Sequence, residues 1–395
     1  MQRSVLFLID KYLDCSDTFL FDEMASLGCY EKSVLALHYC RQPAFSGLRV
    51  IHDPRFASLY PARTNEPPPQ PTYRSFLKYA RRVMHAERPA ILHAQFGNEA
   101  LFFLPLRRWA PIPLVVSFRG SDVSQWMPLF PRRFAMLFRL TDLFLPRSNS
   151  MQVKLVDAGC EPSKVVVHHS SIDLARFPFR RRKAPRDRRF KILTVARLVE
   201  KKGLAYSLQV FARFLSRFPA SQYTIVGEGE LRRDLEDLAW RLGITTRVRF
   251  LGAGTREAVQ LEMAQAHIFL LTSVTTIHGK QEGIPVAIME AFSSGLPVVS
   301  TRHAGIPELV AHGRSGLLSP EKNVDSLTEN LVFLAEHPEL WADFASYGRG
   351  LVEREFNIKV QTGRLERLYD RLLDNTFHNS DTGHPLTWPG SLARR

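Results

Sequence analysis

Two glutamates eight residues apart, Glu282 and Glu290, lie in the stretch of this chain whose residue types best suit chemistry. Gly283 and Pro285 stand between them. Gly283 is expected to end a loop, and Pro285 to take the first position of a short helix that runs to Ser294. The start of such a helix offers free backbone N–H groups and a positive dipole end, which suit a phosphate. The pattern predicts an anion site flanked by two carboxylates.

A second group of candidate residues follows the predicted strand Phe190–Val195. Arg197 and Lys202 come between that strand and the next predicted helix, so both cations are expected at the edge of a crevice. Two such cations can hold a diphosphate without a metal ion. Basic residues near a helix start are also common, and an isolated pair of glutamates is compatible with an ordinary solvent-facing helix. The spacing of these residues alone does not exclude a purely structural role for them.

The positive charge of the chain is unevenly distributed. Residues 1–185 contain 26 Lys and Arg against 15 Asp and Glu, whereas the remaining residues contain 27 against 24. A basic first half suits an anionic membrane surface or an anionic acceptor, and charge alone would also allow nucleic acid. The four cysteines lack the spacing of a zinc site or a disulfide framework, which favours free thiols in a reducing cytosol.

Length and periodicity predict two domains. The 395 residues exceed one ordinary domain, and strands alternate with helices in both halves, as in parallel-sheet α/β proteins. We expect a first domain at 1–178, a solvated basic linker at 179–189, a second domain at 190–351, a C-terminal helix at 352–374 that packs back on the first domain, and a disordered tail at 375–395. No secretory signal or membrane-spanning segment is expected, which predicts a soluble or peripheral protein.

Three further segments have patterns that predict local structure. Lys164–His168 is expected to form the last strand of the first half, and Val352–Asp374 one long amphipathic helix. The segment Phe130–Pro146 combines apolar residues with three arginines on one helical stretch. That stretch suits either a helix on a membrane surface or a half-buried helix.

The phrases around these residues resemble the signature of the retaining glycosyltransferases of family 4, and particularly their exopolysaccharide (colanic-acid-type) branch. The second half carries EGIP-x4-EA from Glu282, then GLPVVST and GIPELV, and the phrase ARLVEKKG contains Arg197 and Lys202. The resemblance implies a GT-B architecture, in which two Rossmann-like, doubly wound parallel-sheet domains face a cleft. It also implies transfer of a sugar from a UDP- or GDP-sugar to a saccharide or lipid-linked acceptor, with no metal ion or other cofactor.

The same resemblance assigns roles on the donor side. Arg197 and Lys202 are expected to neutralise the donor's diphosphate, and Glu282 to contact the transferred sugar; these three are the candidate catalytic residues. Glu290 is expected to hold the ribose hydroxyls. The other candidate donor-binding residues are Gly227, Leu251, Gly283, Ile284, Pro285 and Val286.

Acceptor-side or reaction-centre candidates come from two stretches of the first half. Ser16 and Asp17 stand in a phrase similar to the family's S-E-T-F element, with simple N-capping as the alternative. Arg119, Gly120 and Asp122 form a turn similar to the family's H-G-x-D. Arg119 replaces a histidine found in many members, so it is expected to hold phosphate or an anionic acceptor, or else to be an exposed turn arginine. Asp122 is expected to brace the turn.

Two other classes of protein remain open. A dehydrogenase would use the same α/β pattern, but the three-glycine dinucleotide fingerprint is absent. A noncatalytic basic polymer- or nucleic-acid-binding protein on the same fold is the other class, and the missing histidine at Arg119 is its best support. The glycosyltransferase interpretation expects a nucleotide-sugar donor, no nucleic acid partner, and a cytoplasmic location, with contact to the inner face of the membrane as an option.

Overall fold

Two parallel β-sheets of six strands each organise the computed structural model, which describes residues 3–12, 18–39, 47–59, 70–109 and 111–374. The strands of the first sheet are β1 (Ser4–Tyr12), β2 (Glu31–Tyr39), β3 (Arg49–His52), β4 (Ile91–Ala94), β5 (Leu114–Phe118) and β6 (Leu143–Pro146). The strands of the second are β7 (Lys191–Val195), β8 (Gln222–Val226), β9 (Val248–Phe250), β10 (Ile268–Leu271), β11 (Val298–Thr301) and β12 (Gly316–Ser319).

Both sheets have the same strand order, β3-β2-β1-β4-β5-β6 and β12-β11-β10-β7-β8-β9, and all their ladders are parallel. This is the doubly wound Rossmann order, which binds ligands at the carboxyl ends of the strands. Central strands such as β5 and β11 are buried throughout, because helices cover both faces of each sheet. The predicted architecture of two Rossmann-like domains facing a cleft is confirmed.

Helices cover the sheets on both faces. Those of the first half are α1 (Thr18–Ala25), α2 (Gln70–Glu87), α3 (Gly97–Phe103), the single turn α4 (Met127–Leu129), α5 (Pro131–Leu140) and α6 (Asn149–Asp157). Those of the second half are α7 (Leu204–Leu215), α8 (Arg232–Arg241), α9 (Arg256–Gln265), α10 (Val286–Ser293), α11 (Ile306–Leu309), α12 (Val324–Glu336), α13 (Trp341–Glu355) and α14 (Ile358–Leu373). No helix in the described ranges is long and apolar enough to cross a membrane.

The end of the described chain returns to the first sheet. The side chains of Leu365 and Tyr369 on α14 are buried in the apolar layer beneath β1. The Glu366 carboxylate accepts hydrogen bonds from the backbone N–H groups of Gly28, at 2.6 Å, and Cys29, at 2.7 Å. Helix α14 therefore ties the C-terminal part of the chain to the first domain.

The prediction of one helix over Val352–Asp374 is wrong. Helix α13 ends at Glu355, and α14 begins at Ile358. Between them the backbone pairs with the first half of the chain, since Ile172 N–H donates to the Phe356 carbonyl and Ile358 N–H donates to the Ile172 carbonyl. The apolar periodicity of the sequence continues through both helices, so it does not reveal the change of direction between them.

Two further predictions of the first half need correction. Lys164–His168 is not a strand, because it makes only one bridge to β6, through Val165. Its apolar residues indicated a buried segment, but they did not show whether it forms a continuous ladder of hydrogen bonds. The helical stretch predicted over Phe130–Pro146 stops at Leu140, where β6 follows after two residues. Its helical part, α5, is half-buried, with Phe134 in the core.

The basic connector 179–189 contains no helix or strand, but it is not simply solvated. The Arg182 guanidinium donates to three carbonyls of the second domain, those of Met263, Ala264 and Ser294. Burial accordingly lowers the pKa of Arg182 to about 10. The connector is therefore fixed against the second domain, because backbone carbonyls at two helix ends accept from one cation.

Gly203 and Gly243 provide a matched test of how tightly the candidate site is packed. Both have positive φ, +64° and +69°, but a Cβ on Gly203 would lie 1.9 Å from the Thr272 carbonyl oxygen, whereas Gly243 has open space. We expect Gly243→Ala to cost about 1–2 kcal/mol, the strain of a left-handed alanine. Gly203→Ala should cost about 3–5 kcal/mol, because a steric clash is added. Denaturant unfolding of both variants measures the difference, and equal midpoints would contradict the tight packing.

Candidate functional site

The backbones of the two domains come close together between the turn after β5 and the loop before α10. A Cβ on Gly120 would lie 3.3 Å from the carbonyl oxygen of Gln281 and 3.4 Å from the backbone nitrogen of Gly283. A Cβ on Gly283 would lie 3.0 Å from the Arg119 carbonyl oxygen. Glycine at both positions therefore lets the two backbones meet at this point of the cleft.

Glu282 lies in this loop and is paired with two lysines. Its side chain is 7% exposed, with Oε2 2.9 Å from the Lys202 Nζ and Oε1 3.2 Å from the Lys201 Nζ. Burial by itself would raise the pKa of Glu282, but the two ammonium groups outweigh it and hold the pKa at about 2. Glu282 is therefore an anion at neutral pH, and its two cations are gathered at one place.

A histidine fixes the backbone of this glutamate. The Glu282 N–H donates to the His303 Nε2 at 3.0 Å, so the proton of the ring is on Nδ1. That nitrogen lies 2.6 Å from the Glu321 Oε1, which accepts the proton's hydrogen bond. His303 follows β11, so the carboxyl end of that strand sets the position of the loop.

The cations come from the turn between β7 and α7. Lys202 ends a 3₁₀ turn, Glu200–Lys202, that Gly203 closes in a left-handed conformation. Burial lowers the pKa of Lys202, and Lys201 and Arg197 lower it further, while Glu282 raises it. Arg197 is exposed, and its guanidinium has no hydrogen bond or ion pair in the described structure, although its backbone carbonyl accepts from the Val199 N–H at 2.9 Å. Glu282 thus holds two cations, Lys201 and Lys202, while the Arg197 guanidinium is free to bind an anion.

Helix α10 supplies the amides that the sequence predicted. Pro285 is the N-cap of the helix, whereas the sequence predicted it at the first helical position. The helix itself begins at Val286. The first N–H groups of a helix have no partner within it, so those at Val286 and the next residue point out of its N-terminus. Ile284, just before the cap, is buried in the core of the second domain and anchors the loop.

Glu290 lies one turn further along α10 and is partly buried. Burial raises the pKa of Glu290 to about 7, and the Asp22 carboxylate of the first domain adds to the shift. Asp22 itself binds Arg256 of the second domain, at 3.1 Å. These contacts place Glu290 beside a second bridge between the domains, on the same cleft as Glu282.

The remaining donor-side candidates lie at the neighbouring strand ends. Gly227 follows β8 with φ +146°, and a Cβ there would lie 1.9 Å from the Ala196 carbonyl oxygen. Its N–H donates to the Gly252 carbonyl at 2.8 Å. Leu251 precedes Gly252 and is 40% exposed, with its N–H paired to Ile225 of β8. The backbone at Gly227 and Gly252 is therefore closely packed, and Leu251 presents an exposed apolar side chain beside it.

On the first-domain side, Asp122 braces its turn. Its carboxylate accepts hydrogen bonds from four backbone N–H groups, those of Gly97, Arg119, Gly120 and Val123, at 2.8–3.2 Å. The side chain is fully buried, so these bonds replace its hydration. Asp122 holds Gly120 against the loop of Glu282.

Arg119 is neither an exposed turn arginine nor a group that faces the cleft. Its side chain is 4% exposed, and Nη2 lies 3.2 Å from the Glu23 Oε1, while Nε donates to the Gln95 carbonyl. Glu23 also binds Arg147, at 2.8 Å. Burial raises the pKa of Glu23, but the two arginines more than reverse this and lower it. The charge of Arg119 is therefore neutralised within a buried ion cluster. Of its guanidinium nitrogens, Nη1 has no hydrogen-bond partner.

The structure thus brings most predicted donor residues to one edge and leaves the acceptor side less complete. Ser16 and Asp17 lie outside the described residues. Sequence reasoning missed Lys201, although it stands next to Lys202, because the motif assigns only one lysine. It also missed His303, Asp22 and Arg256, whose partners are distant in the chain.

Comparisons with known proteins agree with this fold and identify the family. The model of glycosyl transferases group 1 matches residues 176–351, and that of glycosyltransferase family 4 matches residues 21–176. The chain is 34% identical over 290 residues to the putative colanic acid biosynthesis glycosyltransferase WcaL of Escherichia coli K12, covering 72% of this chain and 71% of the relative. It is 35% identical to the amylovoran biosynthesis glycosyltransferase AmsK of Erwinia amylovora, over 65% of this chain and 64% of that relative.

Two solved structures share the architecture. HepE from Anabaena, in complex with UDP and glucose, matches with a TM-score of 0.73 at 18% identity, over 93% of this chain and all of that one. The sucrose-phosphate synthase of Thermosynechococcus elongatus matches with 0.73 at 15% identity, over 94% and 100%. The chain belongs to the family-4, group 1 glycosyltransferases with the GT-B fold.

The raised pKa of Glu290 predicts a pH-dependent stability. A carboxyl whose pKa is about 7 in the folded protein and 4.5 in the hydrated, unfolded chain binds the proton more tightly when folded. Its contribution therefore decreases as pH rises from about 4.5 to 7. We expect Glu290→Gln to stabilise the protein by about 1–2 kcal/mol at pH 8 and by much less at pH 5. Thermal unfolding at both pH values measures this, and an equal effect at both would contradict it.

Proposed function

We propose that the protein is a retaining glycosyltransferase that moves a sugar from a UDP- or GDP-linked donor to a saccharide or lipid-linked acceptor in polysaccharide synthesis. The observation that carries this proposal is the ion cluster of Glu282, Lys201 and Lys202 beside the unpaired Arg197. The relatives named for colanic acid and amylovoran support the polysaccharide, and the HepE complex with UDP and glucose supports the donor class.

The cations suit a diphosphate leaving group. As the bond between the sugar and the diphosphate breaks, negative charge grows on the phosphate oxygens. Lys202 and Arg197 neutralise that charge from one side. The backbone N–H groups of Gly283, Ile284 and Val286, at and just before the N-terminus of α10, donate from the other side. These groups supply the charge stabilisation that a metal ion provides elsewhere, so we propose a reaction without a metal or other cofactor.

Glu282 is proposed to act on the sugar rather than on the phosphate. Its carboxylate is ionised and fixed, so it can accept hydrogen bonds from sugar hydroxyls and stabilise positive charge near the anomeric carbon. The acceptor oxygen forms its bond to that carbon on the face from which the diphosphate leaves. The acceptor proton passes to a departing phosphate oxygen, which completes the transfer with retention and without a nucleophile from the protein.

The nucleoside is proposed to lie between α10 and the ends of β8 and β9. Glu290 would accept hydrogen bonds from the ribose hydroxyls, while backbone groups around Gly227 and the side chain of Leu251 would border the base. The acceptor would enter along the first domain, where Gly120 adjoins Glu282. We place the reaction in the cytoplasm, with the basic first half toward an anionic membrane surface.

The phosphate assignment predicts a loss of nucleotide affinity. Arg197→Ala and Lys202→Ala should each weaken UDP or GDP binding by about 1–3 kcal/mol, because each removes a charge-assisted hydrogen bond. Isothermal titration with both nucleotides measures this. Arg241→Ala, an equal loss of charge on the exposed face of α8, is the matched control and should bind like the unmodified protein. Unchanged affinity in the first two variants would remove the assignment.

Glu282→Gln should separate binding from transfer. Without the carboxylate, Lys201 and Lys202 are free for phosphate, so UDP or GDP affinity should be kept or increased. Sugar transfer or donor hydrolysis should fall about 100-fold, because the transition state loses its counter-charge. Released nucleotide from a panel of UDP- and GDP-sugars gives the rate, and the anomeric proton of the product tests retention.

The same panel distinguishes the noncatalytic alternative. If the unmodified protein neither binds nor hydrolyses any donor, and Glu282→Ala behaves identically, the enzymatic proposal fails. A basic polymer-binding protein on this fold would then be favoured, and the buried position of Arg119 would be part of that different function.

A further inference from the structure

A groove of about 490 Å³ adjoins the loop of Glu282, and none of the candidate nucleotide-binding residues lines it. One wall belongs to the first domain and is apolar: Val123, Met127, Pro131, Phe134 and Phe138. The opposite rim includes Gln281 of the second domain. The volume is within the range of pockets that hold a small ligand.

The groove and the candidate reaction centre share a wall. The Ser124 hydroxyl, which lines the groove, accepts from the Gln281 N–H at 3.1 Å and donates to the Gly120 carbonyl at 2.9 Å. Gln281 precedes Glu282 directly in the chain. A molecule in the groove would therefore have one end next to the position proposed for the transferred sugar.

One cation lies in this apolar setting. Lys154 of α6 lines the groove, and its ammonium group donates to the Gln281 Oε1. It forms no ion pair in the described part of the chain, and burial lowers its pKa. Asp157 also lines the groove but is exposed and not paired with Lys154. An apolar groove with one uncompensated ammonium is complementary to an apolar chain that carries an anionic group.

The outer surface next to the groove points to the same kind of ligand. Leu129, Met136 and Leu140 are 58%, 48% and 45% exposed on the segment that forms the apolar wall. Arg132 and Arg139 are exposed on the same helix, α5. Exposed apolar side chains among arginines are typical of a surface that contacts anionic lipid. The groove thus continues from such a surface toward the reaction centre.

We propose that this groove binds the apolar chain and the phosphate of an amphiphilic acceptor, with the phosphate at Lys154 and the chain against Phe134 and Phe138. This inference rests on the proposed function and narrows its acceptor to the lipid-linked class. The saccharide end of the acceptor then lies beside Gly120 and Glu282, where its hydroxyl meets the donor sugar.

Decyl phosphate, below its micellar concentration, is the probe that tests the groove. We expect it to bind by isothermal titration, in the absence and in the presence of saturating UDP. Ala158 is an exposed residue of the groove rim, so Ala158→Phe fills space without removing a core side chain and should weaken binding about tenfold. Lys154→Met keeps the aliphatic stem and should also weaken binding about tenfold. Inorganic phosphate should not displace decyl phosphate, which separates the lipid from free phosphate.

Val153→Phe and Lys359→Met are the matched controls, because both positions are exposed and neither lines the groove. Both should bind decyl phosphate like the unmodified protein, and the melting transition of each variant checks folding. Equal binding by Ala158→Phe and Val153→Phe, or complete displacement of decyl phosphate by UDP, would overturn the groove assignment. Failure of both UDP and GDP to bind the unmodified protein would instead count against the proposed donor site, so the two outcomes are distinguishable.

Discussion

The buried pairing of Glu282 with Lys201 and Lys202 is the interaction on which the rest of the cleft depends. A carboxylate that is removed from water is stable only when cations replace its hydration, and loss of one partner from such a pair costs about 3–5 kcal/mol. The pair joins the turn after β7 to the loop before α10, and His303 fixes the same loop from the end of β11. Three neighbouring strands must therefore end at the same edge for the site to form.

Glycine at the right positions makes this convergence sterically possible. Gly203 allows the turn that carries Lys202 to pass under the Thr272 carbonyl, and Gly120 allows the first domain to reach the loop of Glu282. The side of the cleft that we propose for the donor is consequently built from close backbone approach and ion pairing. The side that we propose for the acceptor is built differently, because Arg119 forms an ion pair with Glu23 inside the first domain and does not offer its charge to the cleft.

Sequence reasoning predicted what depends on local pattern and missed what depends on distant partners. The strand Val298–Thr301 and the helix after Pro285 follow from a short apolar run and from Gly and Pro punctuation, and both are found. Arg119 could not be placed in this way, since its partner Glu23 is 96 residues away. Lys164–His168 shows the related error, because an apolar run indicates burial but not whether a ladder continues.

The central claim is that a nucleotide diphosphate binds where Glu282 now holds its lysines. A crystal structure with UDP or GDP, whichever binds, tests this most directly. We expect a phosphate within hydrogen-bond distance of the Lys202 Nζ and the Arg197 guanidinium, near the N-terminus of α10, with the ribose at Glu290. A nucleotide bound away from these residues, with the Glu282–Lys202 pair unchanged and Arg197 still unpaired, would contradict it.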